Sequence, residues 1–247
     1  MRITAETHLV GSGDSGFGLT DRFDCHVYVL DGGSGAALVD TGIGAGVDAI
    51  LENVEAAGIP RARLRYAFLT HGHPDHSGGA AALRERLPRL QVVASSEVAA
   101  WVAAGDEDAV SLETGKRSEF YPADYRFRGC PVEREVGDGD RVRVGALVVE
   151  VLETPGHADG HVAFLVEGRE GRILFGGDLV FFGGQVSLAN TWDCRIQAYA
   201  VSMAKLRDAR VDALLPGHHF VTATHGQRHI DAANRLFDRG FVPRSVV

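Results

Sequence analysis

Apolar positions along the chain switch between a period of two and a period near 3.6. Residues 2–10 and 23–30 read as strands, and Gly32-Gly33 turns the chain into a third, Ala36-Ala37-Leu38-Val39. Val47, Ile50, Leu51 and Val54 then fall on one face of a helix over 46–57, which Gly58 and Pro60 stop. Arg65–Thr70 is an extended apolar run, Gly79–Leu87 a helix ended by Pro88, and Gln91–Ala94 a short strand. Between 95 and 135 the pattern loosens. Ser96 is a candidate cap for a helix carrying Val98, Trp101 and Val102. Phe120, Tyr121, Tyr125 and Phe127 follow without a clear period, so an insertion or lid is expected at about 95–135. Strand signals return at Val142–Val144, Leu147–Leu152, His161–Val166 and Arg172–Phe175. A helix over Arg195–Asp208, a strand over Val211–Leu215 and a last helix over Gln227–Asp238 complete the chain. Strands thus come in two groups separated by helices. That predicts one α/β domain over 1–247, with two packed β-sheets and helices outside them, not a strict βαβ sheet.

Composition narrows the function classes. With 45% hydrophobic and 23% charged residues the chain can build a substantial core. No apolar run is long enough to span a bilayer, and Met1-Arg2-Ile3-Thr4 does not open a secretory signal, so a cytoplasmic protein without a membrane partner is expected. The formal net charge of −8 disfavours a nucleic-acid partner, whose phosphates call for a basic surface. Arg61, Arg63 and Arg65 form the one basic alternation and read as a solvated strand face. Cys25, Cys130 and Cys194 are too scattered for a disulfide framework or a thiolate metal site and are expected to be reduced.

The chemistry is concentrated in Thr70-His71-Gly72-His73-Pro74-Asp75-His76, directly after a predicted buried strand. Pro74 and the glycines argue against a continuous helix, so a loop that folds around an ion is expected. Imidazole nitrogens and a carboxylate suit zinc and related divalent metals. Four such groups on one segment exceed what one open catalytic ion takes from a single loop, and two neighbouring ions would share them. Further candidates follow other predicted strands: His157 in Thr154-Pro155-Gly156-His157, Asp178 in Phe175-Gly176-Gly177-Asp178, and His218 in Leu215-Pro216-Gly217-His218. Loops at strand ends on a rigid sheet are where sites tend to be built. His8, His225 and His229 have no motif context and read as solvated or locally hydrogen-bonded. His26, His161 and His219 lie near ligand-bearing segments and are candidates for supporting roles.

His71-Gly72-His73-Pro74-Asp75-His76, with His157, Asp178 and His218 in that order, resembles the metallo-β-lactamase superfamily, and Val39-Asp40-Thr41-Gly42 resembles the turn before its first metal loop. The resemblance implies a four-layer αβ/βα sandwich, two mixed β-sheets flanked by helices, with metals at one edge. It assigns His71, His73 and His157 to a first ion and Asp75, His76 and His218 to a second, with Asp178 bridging both. Asp40 would orient a ligand from behind. The implied cofactor is two divalent ions, zinc first and iron or manganese next.

Two such ions lower the pKa of a bound water and position the hydroxide for attack on a carbonyl or phosphoryl centre. Asp75 is the candidate to orient that hydroxide or carry a proton to the leaving group while remaining a ligand. No protein nucleophile is needed, and Ser12 and Ser15 lie in a Gly-rich stretch that matches neither G-x-S-x-G nor a phosphate loop, so it reads as a flexible loop.

Within the family, the ligand pattern is that of glyoxalase-II-like thioesterases and metal-dependent lactonases. The short stretch after His218 leaves little room for the helical glutathione-binding extension of glyoxalase II. Phe181 and Phe182 stand where lactonases often carry a tyrosine. With Trp192 they are candidates for an apolar wall of the substrate pocket, as are Tyr121, Tyr125 and Phe127. The expectation is hydrolysis of an ester, thioester or lactone in a small-molecule substrate. The alternatives are an iron-dependent persulfide dioxygenase and a metal-binding module without catalysis.

Overall fold

The computed structural model describes residues 1–247. Its first sheet has six strands in sequential order: β1 (Thr7–Gly11), β2 (Val27–Asp31), β3 (Ala36–Val39), β4 (Leu64–Phe68), β5 (Gln91–Ala94) and β6 (Arg134–Glu135). The β1–β2 and β2–β3 pairs are antiparallel and the later pairs parallel. The second sheet runs β7 (Arg141–Val144), β8 (Leu147–Glu153), β9 (Val162–Gly168), β10 (Gly171–Gly177) and β11 (Ala213–Pro216), antiparallel except for β10–β11. Between the sheets lies a buried cluster that includes Tyr28, Phe68, Phe164 and Phe175, with the Phe68 and Phe164 rings 5.1 Å apart. Fully burying one such side chain is worth about 1.5–3 kcal/mol. Outside the first sheet, α1 (Val47–Ala56) and α3 (Ala80–Arg86) pack over a second cluster, and Val47, Ile50, Leu51 and Val54 face inward as their spacing predicts. Outside the second sheet, α6 (Ile196–Lys205) and α7 (Gln227–Asp238) cover another cluster around Tyr199 and Met203. The layers are therefore helix, sheet, sheet, helix.

Several boundaries differ from the hydrophobic pattern, each for a local reason. The first strand begins only at Thr7, because the Ile3 and Thr4 amides turn back onto the Thr7 carbonyl. The second begins at Val27, because the Asp24 carboxylate accepts the Asp21 and Ile43 amides and holds the preceding chain in a turn. The cap of α4 (Ser96–Ala104) is Ser95 rather than Ser96, and its hydroxyl also donates to the Gly160 carbonyl at 2.6 Å. The loop over His71–His76 contains one helical turn, α2 (Pro74–Ser77). Pro74 starts this turn, where a missing amide costs nothing, instead of preventing it. The 95–135 segment contributes α4 and α5 (Leu112–Arg117), and Val98, Leu112, Tyr121 and Phe127 bury themselves in a cluster with Leu69 and Ala80.

Candidate metal centre

Every candidate ligand is carried to one edge of the two sheets by the strand before it. The chain leaves β3 at Asp40 with φ of 59°, a left-handed conformation that a short polar residue tolerates. This aims the Asp40 carboxylate at the loop after β4. It accepts the Thr70 amide at 2.8 Å and the Thr70 hydroxyl at 2.9 Å, and it lies 2.9 Å from His76 Nδ1. The Thr70 oxygen in turn accepts from His71 Nδ1 at 3.0 Å, and the Ser187 carbonyl accepts from His157 Nδ1 at 3.0 Å. Three rings thus have one nitrogen held from behind, which leaves Nε2 of each as the free ligand atom.

Those atoms converge in two groups. His73 Nδ1 lies 3.1 Å from His71 Nε2 and 3.0 Å from His157 Nε2. His218 Nε2 lies 3.0 Å from Asp75 Oδ2 and 3.3 Å from His76 Nε2. Asp178 stands between the groups: its Oδ2 is 3.7 Å from Nε2 of both His157 and His218, and its Oδ1 is 3.5 Å from His76 Nε2. Close approach here depends on Gly217, where a Cβ would come within 2.3 Å of Asp178 Oδ1 and 2.5 Å of the His76 ring.

The donor set fits divalent cations. A tetrahedral ion with bonds of about 2.0–2.1 Å spaces its ligand atoms about 3.3 Å apart, close to the separations within both groups. Asp178 Oδ1 is buried with no hydrogen-bond partner, a costly state for a carboxylate that a cation relieves. Imidazole nitrogens facing one another across about 3 Å need a cation or a shared proton between them.

Electrostatics divide the two groups. Burial, aided by the surrounding imidazoles, drives His71 well below its ordinary pKa, and burial holds His73 and His157 at about 4, so all three imidazoles stand neutral, the form that can bind a cation. Burial also opposes protonation of His76 and His218, but neighbouring groups, Cys25 at His76 and the Asp75 and Asp178 carboxylates at both, outweigh it and raise both. Burial pushes the Asp75 and Asp178 carboxyls up, and the charges of His76 and His218 more than reverse this, leaving both lowered. Cys25 also approaches Asp40 and His76, but burial pushes its thiol far up, which keeps it neutral and a poor ligand.

Among the supporting candidates, His161 is buried, with Nδ1 2.9 Å from the Thr154 hydroxyl and Nε2 accepting the Asp178 amide at 3.3 Å. His26 donates to the His219 carbonyl at 2.9 Å and reaches no ligand atom by hydrogen bond. His229, with no motif context, is buried on local hydrogen bonds to Gly183 and Thr222. The Gly-rich stretch is tied rather than loose: Ser12 Oγ accepts the Phe17 amide at 2.7 Å, and the Ser12 amide donates to Thr20 Oγ1 at 3.0 Å. All three cysteines are free.

The two groups open into a cleft of about 1060 Å³. His73, Asp75, His157, Asp178 and His218 form its floor, and Tyr121, Arg117 and Trp192 are among its walls. Trp192 lies edge-on to Trp101 at 5.9 Å. Phe181 and Phe182 are not in this wall. Phe181 is buried beneath the site, and Phe182 points outward against Phe220, under Arg228. Phe181 ends an extended stretch and Phe182 opens a single 3-10 turn, and the two side chains part at that change of backbone. Residue order gives no hint of one contact: the Tyr121 hydroxyl donates to Asp75 Oδ1 at 2.5 Å across 46 positions.

Comparison with known proteins agrees with this geometry. The family model of the metallo-beta-lactamase superfamily matches residues 20–218, and the chain belongs to that superfamily. Within it, the chain is 30% identical over 220 residues to a hydroxyacylglutathione hydrolase of Stenotrophomonas maltophilia, covering 87% of this chain and 69% of that protein. It is 28% identical over 211 residues to the acyl-coenzyme A thioesterase MBLAC2 of Gallus gallus, covering 78% and 72%. Against hydroxyacylglutathione hydrolases of Cupriavidus taiwanensis and Klebsiella pneumoniae it spans only about half of their length, 51% and 49%. Among solved structures, the subclass B3 metallo-beta-lactamase BJP-1 of Bradyrhizobium japonicum superimposes with a TM-score of 0.73 at 22% identity, covering 97% of this chain and 91% of that one. That likeness establishes the fold. No helix is long and apolar enough to cross a membrane.

Proposed function

We propose that the protein is a dinuclear metal-dependent hydrolase of esters, thioesters or lactones, with acyl thioesters the favoured class. The observation that carries this reading is the pair of His/Asp clusters with the Asp178 carboxylate between them, at the floor of an open cleft. His71, His73 and His157 would hold one divalent ion, and Asp75, His76 and His218 the other, with zinc the ion these donors suit best. Bound there, the ions would supply Lewis acidity and a water acidic enough to act as hydroxide at neutral pH. The chain's part is to fix the donors and shape the approach. Asp40 and the Ser187 carbonyl lock ring orientations, and Asp178 places a negative charge between the groups. Asp75 has Oδ2 beside His218 and Oδ1 beneath the Tyr121 hydroxyl, which favours the role of ligand over that of proton carrier. The thioester preference rests on the printed names of the two relatives above, both of which denote thioester hydrolases.

The test combines elemental analysis with a panel of acyl thioesters, lactones and simple esters, each assayed before and after chelation and after zinc restoration. Two ions per chain and thioester hydrolysis lost and regained with the metal are expected. Iron-loaded protein that consumes oxygen with a persulfide and leaves every ester untouched would replace this reading with the oxidase one. Metal-loaded protein inert to all substrates would leave a binding module.

A further inference from the structure

We propose that Tyr121 is the positioning residue of the second metal group: its phenol restricts Asp75 to presenting a single oxygen to the ion. The inference rests on the dinuclear reading above. Asp75 is buried, and its two oxygens have different surroundings. Oδ2 faces His218 Nε2 at 3.0 Å and His76 Nε2 at 3.4 Å, whereas Oδ1 accepts the Tyr121 hydroxyl at 2.5 Å. An oxygen engaged by a short bond from a neutral phenol is a weaker competitor for the same cation, so the carboxylate is held to one donor atom.

The segment is built to keep that hydroxyl in place. The Tyr121 ring lies directly over Gly115, where a Cβ would meet it at 2.2 Å, so α5 leaves a gap of the ring's size. The Tyr121 amide is also bonded to the Gly115 carbonyl at 3.3 Å. Phe120 lies edge-on to Tyr121 on one side and to the His218 ring on the other, at 5.2 Å and 6.2 Å. A second phenol, Tyr125, fastens the same segment to a different point, donating to the Ile43 carbonyl at 2.8 Å. The 95–135 segment is therefore fastened by two phenols, of which only Tyr121 bonds a candidate ligand. Tyr121 is also part of the cleft wall, which makes it the link between the segment and the second metal group.

Tyr125 supplies the internal control. Wild-type protein, Tyr121→Phe and Tyr125→Phe would be stripped of metal, checked by circular dichroism and thermal melting, and titrated with Zn2+ against a chromophoric chelator. Co2+ loading would report the coordination of the second ion by its visible spectrum. Partners behind a metal ligand typically contribute about 10- to 100-fold in affinity. Tyr121→Phe should keep the first equivalent tight, weaken the second by about tenfold or more, and change the Co2+ spectrum of the second ion alone. Tyr125→Phe should match wild type in both equivalents, and its melting temperature should report any loss of packing. Unchanged second-ion affinity in Tyr121→Phe overturns the proposal, as does equal weakening by both variants, which would mean that segment packing and not the phenol–carboxylate bond is responsible. If Tyr121→Phe fails to fold, Gly115→Ala takes its place, because the added Cβ falls on the Tyr121 ring and must displace it. Wild-type affinity for the second ion in that variant overturns the proposal as well. Wild-type protein that saturates at one ion sinks the dinuclear reading itself, an outcome distinct from wild type binding two and Tyr121→Phe behaving identically.

Discussion

Asp40 Oδ2 lies 2.9 Å from His76 Nδ1, although 36 residues separate them and Asp40 follows β3 whereas His76 lies beyond β4. The same carboxylate accepts the Thr70 amide and hydroxyl, so one side chain fixes both the entrance to the metal loop and the ring at its end. Replacing it removes two supports at once. Asp40→Ala should weaken the second ion by about 10- to 100-fold, the usual contribution of a group behind a metal ligand. It should also destabilise the metal-free protein by about 1–3 kcal/mol, because the buried Thr70 amide loses its acceptor. Metal titration and urea unfolding of the apo form measure the two effects separately, and a variant that lost neither would leave Asp40 outside the site's support.

Lowering pH should release the two ions in order. His73 and His157 are held at about 4 and burial drives His71 well below its ordinary value, so near neutral pH an ion at the first group displaces no proton from them. His76 and His218 are raised, so an ion at the second group must displace protons that bind more tightly as pH falls. Affinity at the second group should therefore decline first on acidification, while the first group holds until pH approaches about 4. Dialysis at stepped pH with metal quantified at each step checks this. Simultaneous loss of both ions would contradict the separation.

The cluster of candidate ligands was legible in the residues because its parts are local: each metal-capable side chain directly follows an apolar strand, next to a glycine. The two-sheet arrangement followed from the grouping of strands for the same reason. Tyr121 was not legible in this role. It stood out only as one of several aromatics in an aperiodic stretch, and its bond to Asp75 depends on how α4 and α5 fold across the edge of the sheet. Phe181 and Phe182 misled as a pair because nearness to a ligand in sequence says nothing of which face each presents.

Arg117 is the one Lys or Arg side chain in the cleft wall, it is exposed, and it has no carboxylate within ion-pair distance. Its neighbours in the wall include the hydroxyl-bearing Thr114 and Ser118. A thioester whose carrier bears a carboxylate or phosphate would find its counter-charge here. Arg117→Ala should raise KM about 2- to 5-fold for such substrates, the scale of an exposed ion pair, and leave kcat nearly unchanged. An uncharged thioester assayed in parallel should show no difference. Equal effects on both would remove Arg117 from carrier recognition.

Asp178 has the most exposed role in the proposed chemistry, since it is the carboxylate that lies within 3.7 Å of histidines of both groups. Its Oδ2 is equidistant from His157 and His218, and its Oδ1 lies near His76 without any hydrogen bond of its own. Asp178→Asn keeps the volume but turns one acceptor into a donor and removes a negative charge from between two cations. Repulsion between the ions is then less compensated, and at such short range this outweighs any packing benefit of the amide. The variant should bind one ion tightly and the other at least tenfold more weakly, with turnover on a thioester reduced by about 100-fold or more, the scale seen when a preorganised charge is lost from a reacting centre. Its fold should be preserved, because the strand that carries Asp178 is anchored by β9 and β11 on either side. Metal content, turnover and circular dichroism measured on one preparation decide the matter. Two tightly bound ions with near-normal turnover would take Asp178 out of the bridge and the hydrolytic mechanism with it, whereas loss of secondary structure would show that the carboxylate and its metal hold the fold together.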